Sequence, residues 1–317
     1  MASSEVLVSR NQPTMYFVGV TTGKSSIMRV FPRWSDVLGI GAQIVGYDCP
    51  IHAPDEDYLA IVRHIKSDPL SLGALVTTHK IDLLTAARAE FDYLDPYAQL
   101  CGEISGISKR NGTLRGHAKD PISSGLSLEA FVPRGHWGKT GGHVLCLGAG
   151  GSAVAISVYL AGLKDRADRP QKFIAVNRSP GRLDALKEIV AQLNTDIEFE
   201  YILNEDPVEN DALMAKLPPG SMVINATGMG KDRPGSPVTD AGVWPQDGLV
   251  WELNYRGELD FMHQARRKAD SYHLTIEDGW VYFLHGWTQV VAEVFDVELT
   301  PELFRQLDDA ASELSPA

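Results

Sequence analysis

The run Leu147-Gly148-Ala149-Gly150-Gly151-Ser152-Ala153 constrains the fold of this chain more than any other. It lies between an apolar run of strand length, HVLCLG (143–148), and one of helix length, SAVAISVYLAGL (152–163). A strand that passes into a helix through such a turn predicts a βα unit. Gly148 permits the tight turn, while Gly150 and Gly151 let the backbone approach a pyrophosphate, whose charge the helix N-terminus favours. Ala153 takes the place of the third small residue. In this context the motif predicts dinucleotide binding, with a merely tight turn as the plainer alternative.

The second half keeps an α/β rhythm. Strands are expected at KFIAVNR (172–178), IEFEYIL (197–203), SMVINAT (221–227), GLVWELNY (248–255) and SYHLTIE (271–277). Ser179 and Pro180 suit the cap and first position of a helix running to about Leu193, and two final helices are expected near 280–295 and 301–314. The first half predicts strands at 16–20, 42–48 and 73–78. Helical spacing covers 27–38, with Pro32 inside and a kink or late start expected, and again 55–66; a further helix opens near Lys80. Residues 103–117 read as a hairpin turning at Asn111-Gly112, and 1–14 as a polar, poorly ordered leader. Strands separated by helices imply parallel sheet covered on both faces.

Composition removes other classes. A length of 317 residues suits two domains. Lys plus Arg number 29 against 41 Asp plus Glu, a net charge of −12, which argues against nucleic-acid and anionic-membrane partners. No apolar run approaches the ~18 residues of a membrane span. Cys49, Cys101 and Cys146 are scattered, and the histidines form no metal-binding pair, so neither disulfides nor a metal is expected. A cytoplasmic protein with a small-molecule substrate, as monomer or homodimer, is the expectation.

After the second glycine-domain strand comes Asn177-Arg178-Ser179-Pro180-Gly181-Arg182. An NAD site usually places a carboxylate there to hold the ribose 2′-hydroxyl. This chain offers two guanidiniums and a hydroxyl, which suit a 2′-phosphate and favour NADP, unless both arginines are simply solvated. Asn225, Ala226, Thr227 and Gly228 follow a later strand, at the sheet edge where such folds bind ligands. Hydride transfer also needs a group that moves a proton. Lys80 opens a helix directly after a buried strand, in T-T-H-K, and Asp120 follows the hairpin, in A-K-D-P. Their placement raises them above ordinary surface charges as a proton-transfer pair; His79 is a rival.

This order of motifs resembles the shikimate dehydrogenase family, from about Tyr16 to Val297, on L-G-A-G-G-S-A, N-R-S-x-x-R, I-N-A-T and the placement of Lys80 and Asp120. The resemblance implies an α/β fold of two domains: an N-terminal α/β substrate-binding domain over 1–122 and a Rossmann dinucleotide-binding domain over 123–278, with C-terminal helices, 279–317, packing back on the first. It implies NADP-dependent, reversible oxidation of a ring hydroxyl to a ketone in the cleft between domains. Lys80 and Asp120 would be catalytic. Gly148, Ala149, Gly150, Gly151, Ser152, Ala153, Asn177, Arg178, Ser179, Arg182, Asn225, Ala226, Thr227 and Gly228 would hold the cofactor.

The substrate positions depart from the family pattern. S-K-S-P appears as T-G-K-S-S, with Gly23 for the first serine and Ser25 for the second. N-V-T-x-P-x-K appears as L-V-T-T-H-K, one residue shorter. Ser105 stands for the hairpin asparagine, and His285 or Gly286 for a C-terminal glutamine, while Tyr255 matches a family tyrosine. Ser25, Thr77, Thr78, Ser105, Tyr255 and His285 are therefore the expected substrate contacts, with His79 and Lys119 as replacements for lost ones. The expected substrate is a shikimate- or quinate-like or other cyclic polyol. The alternatives are shikimate dehydrogenase proper and a non-catalytic NADP(H)-sensing relative.

Overall fold

The computed structural model describes residues 7–231 and 233–314. The chain divides into two compact units. Among the described residues, the first contains those up to Lys119 and those from Gly286 to Leu314; the second runs from Asp120 to His285.

The first unit is built from β1 (Thr14–Gly19), α1 (Ile27–Leu38), β2 (Gln43–Asp48), α2 (Asp55–Ser67), β3 (Ser71–Val76), α3 (Lys80–Ala87), β4 (Tyr93–Leu94), α4 (Pro96–Cys101), β5 (Gly106–Arg110) and β6 (Thr113–His117). Its sheet runs in the order β2-β1-β3-β5-β6-β4. β1, β2 and β3 are parallel, and the hairpin β5–β6, with Asn111 and Gly112 both left-handed at its turn, enters antiparallel. The first sheet is thus mixed, because a two-residue turn can only return the chain antiparallel.

Its core contains Tyr16, Tyr47, Tyr58 and Trp34, all fully buried. Each aromatic has a partner at its polar tip, as burial demands: Tyr16 Oη lies 2.9 Å from His64 Nε2, Tyr47 Oη donates to the Asp57 carbonyl at 2.9 Å, and Trp34 Nε1 donates to the Leu307 carbonyl at 2.7 Å. Pro32 stands inside α1, which nevertheless starts at Ile27; the late start is not seen. Residues 1–6 of the expected leader lie outside the described residues. Residues 7–13 are tied down: Arg10 Nε donates to Tyr16 Oη at 2.7 Å, and its backbone N–H reaches Asp68 Oδ1.

The second unit contains α5 (Asp120–Phe131), α6 (His136–Thr140), β7 (Val144–Leu147), α7 (Gly151–Gly162), β8 (Lys172–Asn177), α8 (Pro180–Val190), β9 (Glu198–Leu203), α9 (Pro207–Met214), β10 (Met222–Asn225), β11 (Leu249–Glu252), α10 (Asp260–Tyr272) and β12 (Thr275–Glu277). All strands are parallel, in the order β12-β11-β10-β7-β8-β9. The chain winds outward from β7 in one direction, then returns to β10 and winds the other way. The switch point therefore lies between β7 and β10, at whose carboxyl ends such folds bind ligands. Strand β12 is shorter than expected because Ser271 and Tyr272 finish α10, which His273 ends in a left-handed conformation.

Helix α11 (Trp280–Phe295) passes from the second unit into the first at Gly286, and α12 (Pro301–Ser312) follows. The α12 helix packs on α1 within the first unit, where Arg33 also pairs with Glu313 at 3.0 Å. The architecture is the expected one: α/β, two-domain, with a Rossmann-type sheet.

Candidate functional site

The glycine turn opens α7 at the switch point. Gly148 has φ +123°, and a Cβ there would lie 2.4 Å from the Ala226 carbonyl oxygen. Only glycine meets both demands. The turn is laced to its neighbours: Gly148 N–H donates to the Val176 carbonyl and Ala226 N–H to that of Leu147, both at 2.7 Å. Ala149 and Ala153 are buried beneath it. Around Gly150 the space is open, and Ser152 Oγ receives a long hydrogen bond, 3.4 Å, from Tyr282 Oη.

At the end of β8, Asn177 Oδ1 accepts the Ser179 backbone N–H at 3.3 Å. Ser179 stands at the cap position of α8 and Pro180 at its first position, as expected, although the Ser179 side chain makes no capping bond. Helix α8 also ends at Val190 rather than near Leu193. Arg178 and Arg182 are exposed, and among the described residues neither makes an ion pair.

Asn225 belongs to a cluster that the sequence did not reveal. Its Oδ1 accepts from the Thr227 hydroxyl at 2.7 Å, and its Nδ2 donates to Glu252 Oε2 at 2.8 Å. Glu252 Oε1 accepts from Asn254 Nδ2 and N–H at 2.7 and 2.9 Å. Burial pushes the Glu252 carboxyl up to about 7, against the pull of these hydrogen bonds. An acid inside the apolar run VWEL was the available signal. The Tyr255 ring is tilted against Phe283, at 4.5 Å between ring centres, and Trp280 stacks on Phe283 and meets Tyr255 edge-on. Burial pushes the His285 imidazole down to about 4, and its backbone carbonyl accepts from Ser123 Oγ at 3.3 Å.

In the first unit the carboxyl ends of β1, β2 and β3 gather the other candidates. Thr22 is buried; both its N–H and its hydroxyl donate to Asp48 Oδ1, at 2.8 and 2.6 Å. A Cβ at Gly46 would collide with the Thr22 hydroxyl, so the close approach requires glycine there. Gly23 and Lys24 are exposed and Ser25 is half-buried. Asp48, at the end of its strand, was legible from the same strand-end rule that picked out Asn225.

Thr77 packs its methyl toward Gly19, and Thr78 is left-handed at φ +61°. His79 is only 1% exposed, which corrects its expected role as a substrate contact; its ring is enclosed by protein. Lys80 is half-buried and opens α3, its backbone carbonyl accepting from Ile104 N–H at 3.3 Å. The neighbouring strand brings Ser105 beside Thr77, through the Val76 N–H to Ser105 carbonyl bond at 2.9 Å. Ser105 Oγ accepts the Lys119 N–H at 2.8 Å, so this hydroxyl is already in use. Lys119 Nζ lies 2.8 Å from Glu293 Oε2, in a half-buried network with His117, Ser108 and Arg110. Asp120, the next residue, opens α5.

A 200-residue stretch, 62% of this chain, is 30% identical to the shikimate dehydrogenase (NADP(+)) of Symbiobacterium thermophilum. The chain is a divergent relative of the shikimate dehydrogenases. That stretch spans 64% of the Symbiobacterium protein's length, just under two thirds. No family model matches the chain. A shikimate dehydrogenase solved in complex with NADP+ superposes with a TM-score of 0.73 at 19% identity, covering 98% of each chain. The ligand-free 5-ketofructose reductase of Gluconobacter sp. strain CHM43 superposes with a TM-score of 0.70 at 19% identity, covering 94% of this chain and 99% of its own. At these identities the two structures establish the fold.

Proposed function

We propose that this chain is an NADP-dependent oxidoreductase that interconverts a ring hydroxyl and a ketone on a cyclic polyol. The observation that carries the reading is the left-handed Gly148 pressed on Ala226, which leaves open space over Gly150 at the switch point of a parallel sheet. That opening, before the N-terminus of a 12-residue helix, fits a pyrophosphate. The exposed Arg178 and Arg182, with Ser179, fit a 2′-phosphate. When bound, the dinucleotide supplies or accepts the hydride. Lys80 takes the proton from the substrate hydroxyl in oxidation and returns it in reduction, with Asp120 orienting Lys80 or holding a neighbouring hydroxyl.

The polyol assignment rests on which groups are free to meet a substrate. Thr22 spends both donors on Asp48, Gly23 has no side chain, and the Lys119 ammonium is matched by Glu293. These commitments weaken the support for a substrate carboxylate, which shikimate carries. Ser25, Thr77 and Thr78 remain as hydroxyl partners, and a site built on such pairing rejects analogues that leave it unpaired. The likeness to a 5-ketofructose reductase supports a neutral, hydroxyl-rich substrate. Relatives named as shikimate dehydrogenases favour shikimate as the second reading.

The test is nicotinamide absorbance with purified protein, NADP+ and NAD+ against shikimate, quinate and inositols, and NADPH against the corresponding ketones and 5-ketofructose. Turnover of an uncharged polyol or its ketone with the phosphorylated cofactor supports the reading. Efficient turnover of shikimate alone overturns the polyol assignment. NADPH binding without turnover overturns the enzyme assignment.

A further inference from the structure

We propose that His79 is a positioning residue for Lys80: the imidazole, seated on Tyr58, holds the left-handed Thr78 turn that sets where the Lys80 side chain stands. The inference rests on the reading of Lys80 given above. Three independent features of the first unit support it.

Thr78 is the first. A β-branched residue at φ +61° is a backbone conformation that chains adopt only when the surroundings impose it. The turn is also tight, since the His79 N–H donates to the Thr77 carbonyl only two residues back, at 2.5 Å. The L-V-T-T-H-K segment has to cover the distance from β3 to α3 in three residues, Thr77 to His79, and this turn is how it does so.

The second is the anchor. His79 is 1% exposed and its Nδ1 lies 3.1 Å from the hydroxyl of the fully buried Tyr58 on α2. The two rings lie 5.6 Å apart between centres. Burial pushes the imidazole pKa down, with the backbone of Gly19 and Cys49 offsetting part of this, so the ring stays neutral inside the core. A buried polar ring on a defined partner fixes position more sharply than an apolar side chain of the same size.

The third is adjacency. The His79 carbonyl accepts the Leu83 N–H at 2.8 Å, the bond that starts α3, and Lys80 is the first residue of that helix. Any shift of the imidazole therefore moves the helix start that carries Lys80. Gly19, where a Cβ would meet Thr77 and Thr22 at 3.1 and 3.2 Å, lies at the same strand ends. The backbone of Gly19 also faces the His79 ring, so the imidazole sits among these strand ends.

The test reads Lys80 itself, so it needs no substrate. Intact protein is labelled with trace acetic anhydride across a pH series, and acetylation of Lys80 is measured by peptide mass spectrometry against the exposed Lys164. In His79→Leu the relative rate at Lys80 rises by about threefold or more, as the side chain is released to solvent. His79→Asn, which keeps a polar atom near the Nδ1 position, stays near wild type. Adding Thr78→Gly to His79→Leu restores the wild-type rate, because glycine accepts the turn without an anchor. A His79→Leu protein that is less heat-stable yet labels Lys80 at the wild-type rate overturns the proposal. Should that variant fail to fold, Tyr58→Phe gives the same reading with a smaller rise, and an unchanged rate there overturns it as well. Full turnover in Lys80→Ala would instead remove the lysine from catalysis and leave the labelling result standing.

Discussion

Asn225 Nδ2 donates to Glu252 Oε2 at 2.8 Å with both side chains sealed from solvent. The carboxyl has two asparagines around it, and burial raises it from an ordinary 4.5 to about 7. A folded-state value above the unfolded one means that its contribution to stability is complete below about 4.5 and is lost as pH rises through 7. The loss amounts to roughly 3 kcal/mol. Urea unfolding of wild type and Glu252→Gln at pH values on both sides of this window is expected to show that fall in the wild type only. Parallel pH profiles would contradict it.

Glu293 has the opposite sign. Burial works to raise its carboxyl, but the Lys119 hydrogen bond and the charges of His117, Lys119 and Arg110 hold it below the ordinary carboxylate range. Its contribution is present above the ordinary value and is lost as pH falls through the depressed one. Glu293→Ala takes the carboxylate away from the half-buried Lys119 ammonium, and is expected to cost about 3 kcal/mol at neutral pH in urea unfolding.

The glycine turn separates folding from binding. Gly148→Ala forces a side chain onto the Ala226 carbonyl at a left-handed φ and is expected to destabilise by about 1–3 kcal/mol or more. Gly150→Ala meets nothing within 4 Å and should leave the thermal midpoint unchanged. It fills the opening over α7, so NADPH affinity, followed by fluorescence, should fall. Equal effects of the two variants on stability would contradict this division.

Arg178→Ala and Arg182→Ala each remove one guanidinium from the end of β8. Each is expected to weaken NADPH binding by about tenfold while leaving NADH binding nearly unchanged, a loss of one charge-assisted hydrogen bond. Titration of both cofactors by fluorescence checks it; an equal loss for both would assign the arginines to something other than the 2′-phosphate.

The strand-helix order of both halves was readable because apolar strand runs alternate with helical spacing and turn residues. The glycine turn stood out for the same reason. Helix α5 was hidden because its buried face is Ser123, Ser124, Gly125 and Ser127, residues that read as loop in a sequence. They are small because α7 packs close: a Cβ at Gly125 would fall 2.2 Å from the Tyr159 ring. Glu252 and Glu293 were hidden for another reason. Each gains its meaning from a partner far along the chain or across strands, such as Lys119 for Glu293, and no local spacing encodes that pairing. The engaged states of Ser105 and Thr22 also follow only from three-dimensional neighbours, and they change which hydroxyls a substrate meets.

The most direct test of the account is turnover by Lys80→Ala with NADPH and the best ketone from the polyol panel, alongside NADPH binding. The account predicts a fall in kcat of roughly 10²–10⁴-fold with NADPH affinity unchanged. Near-normal turnover in that variant would contradict it.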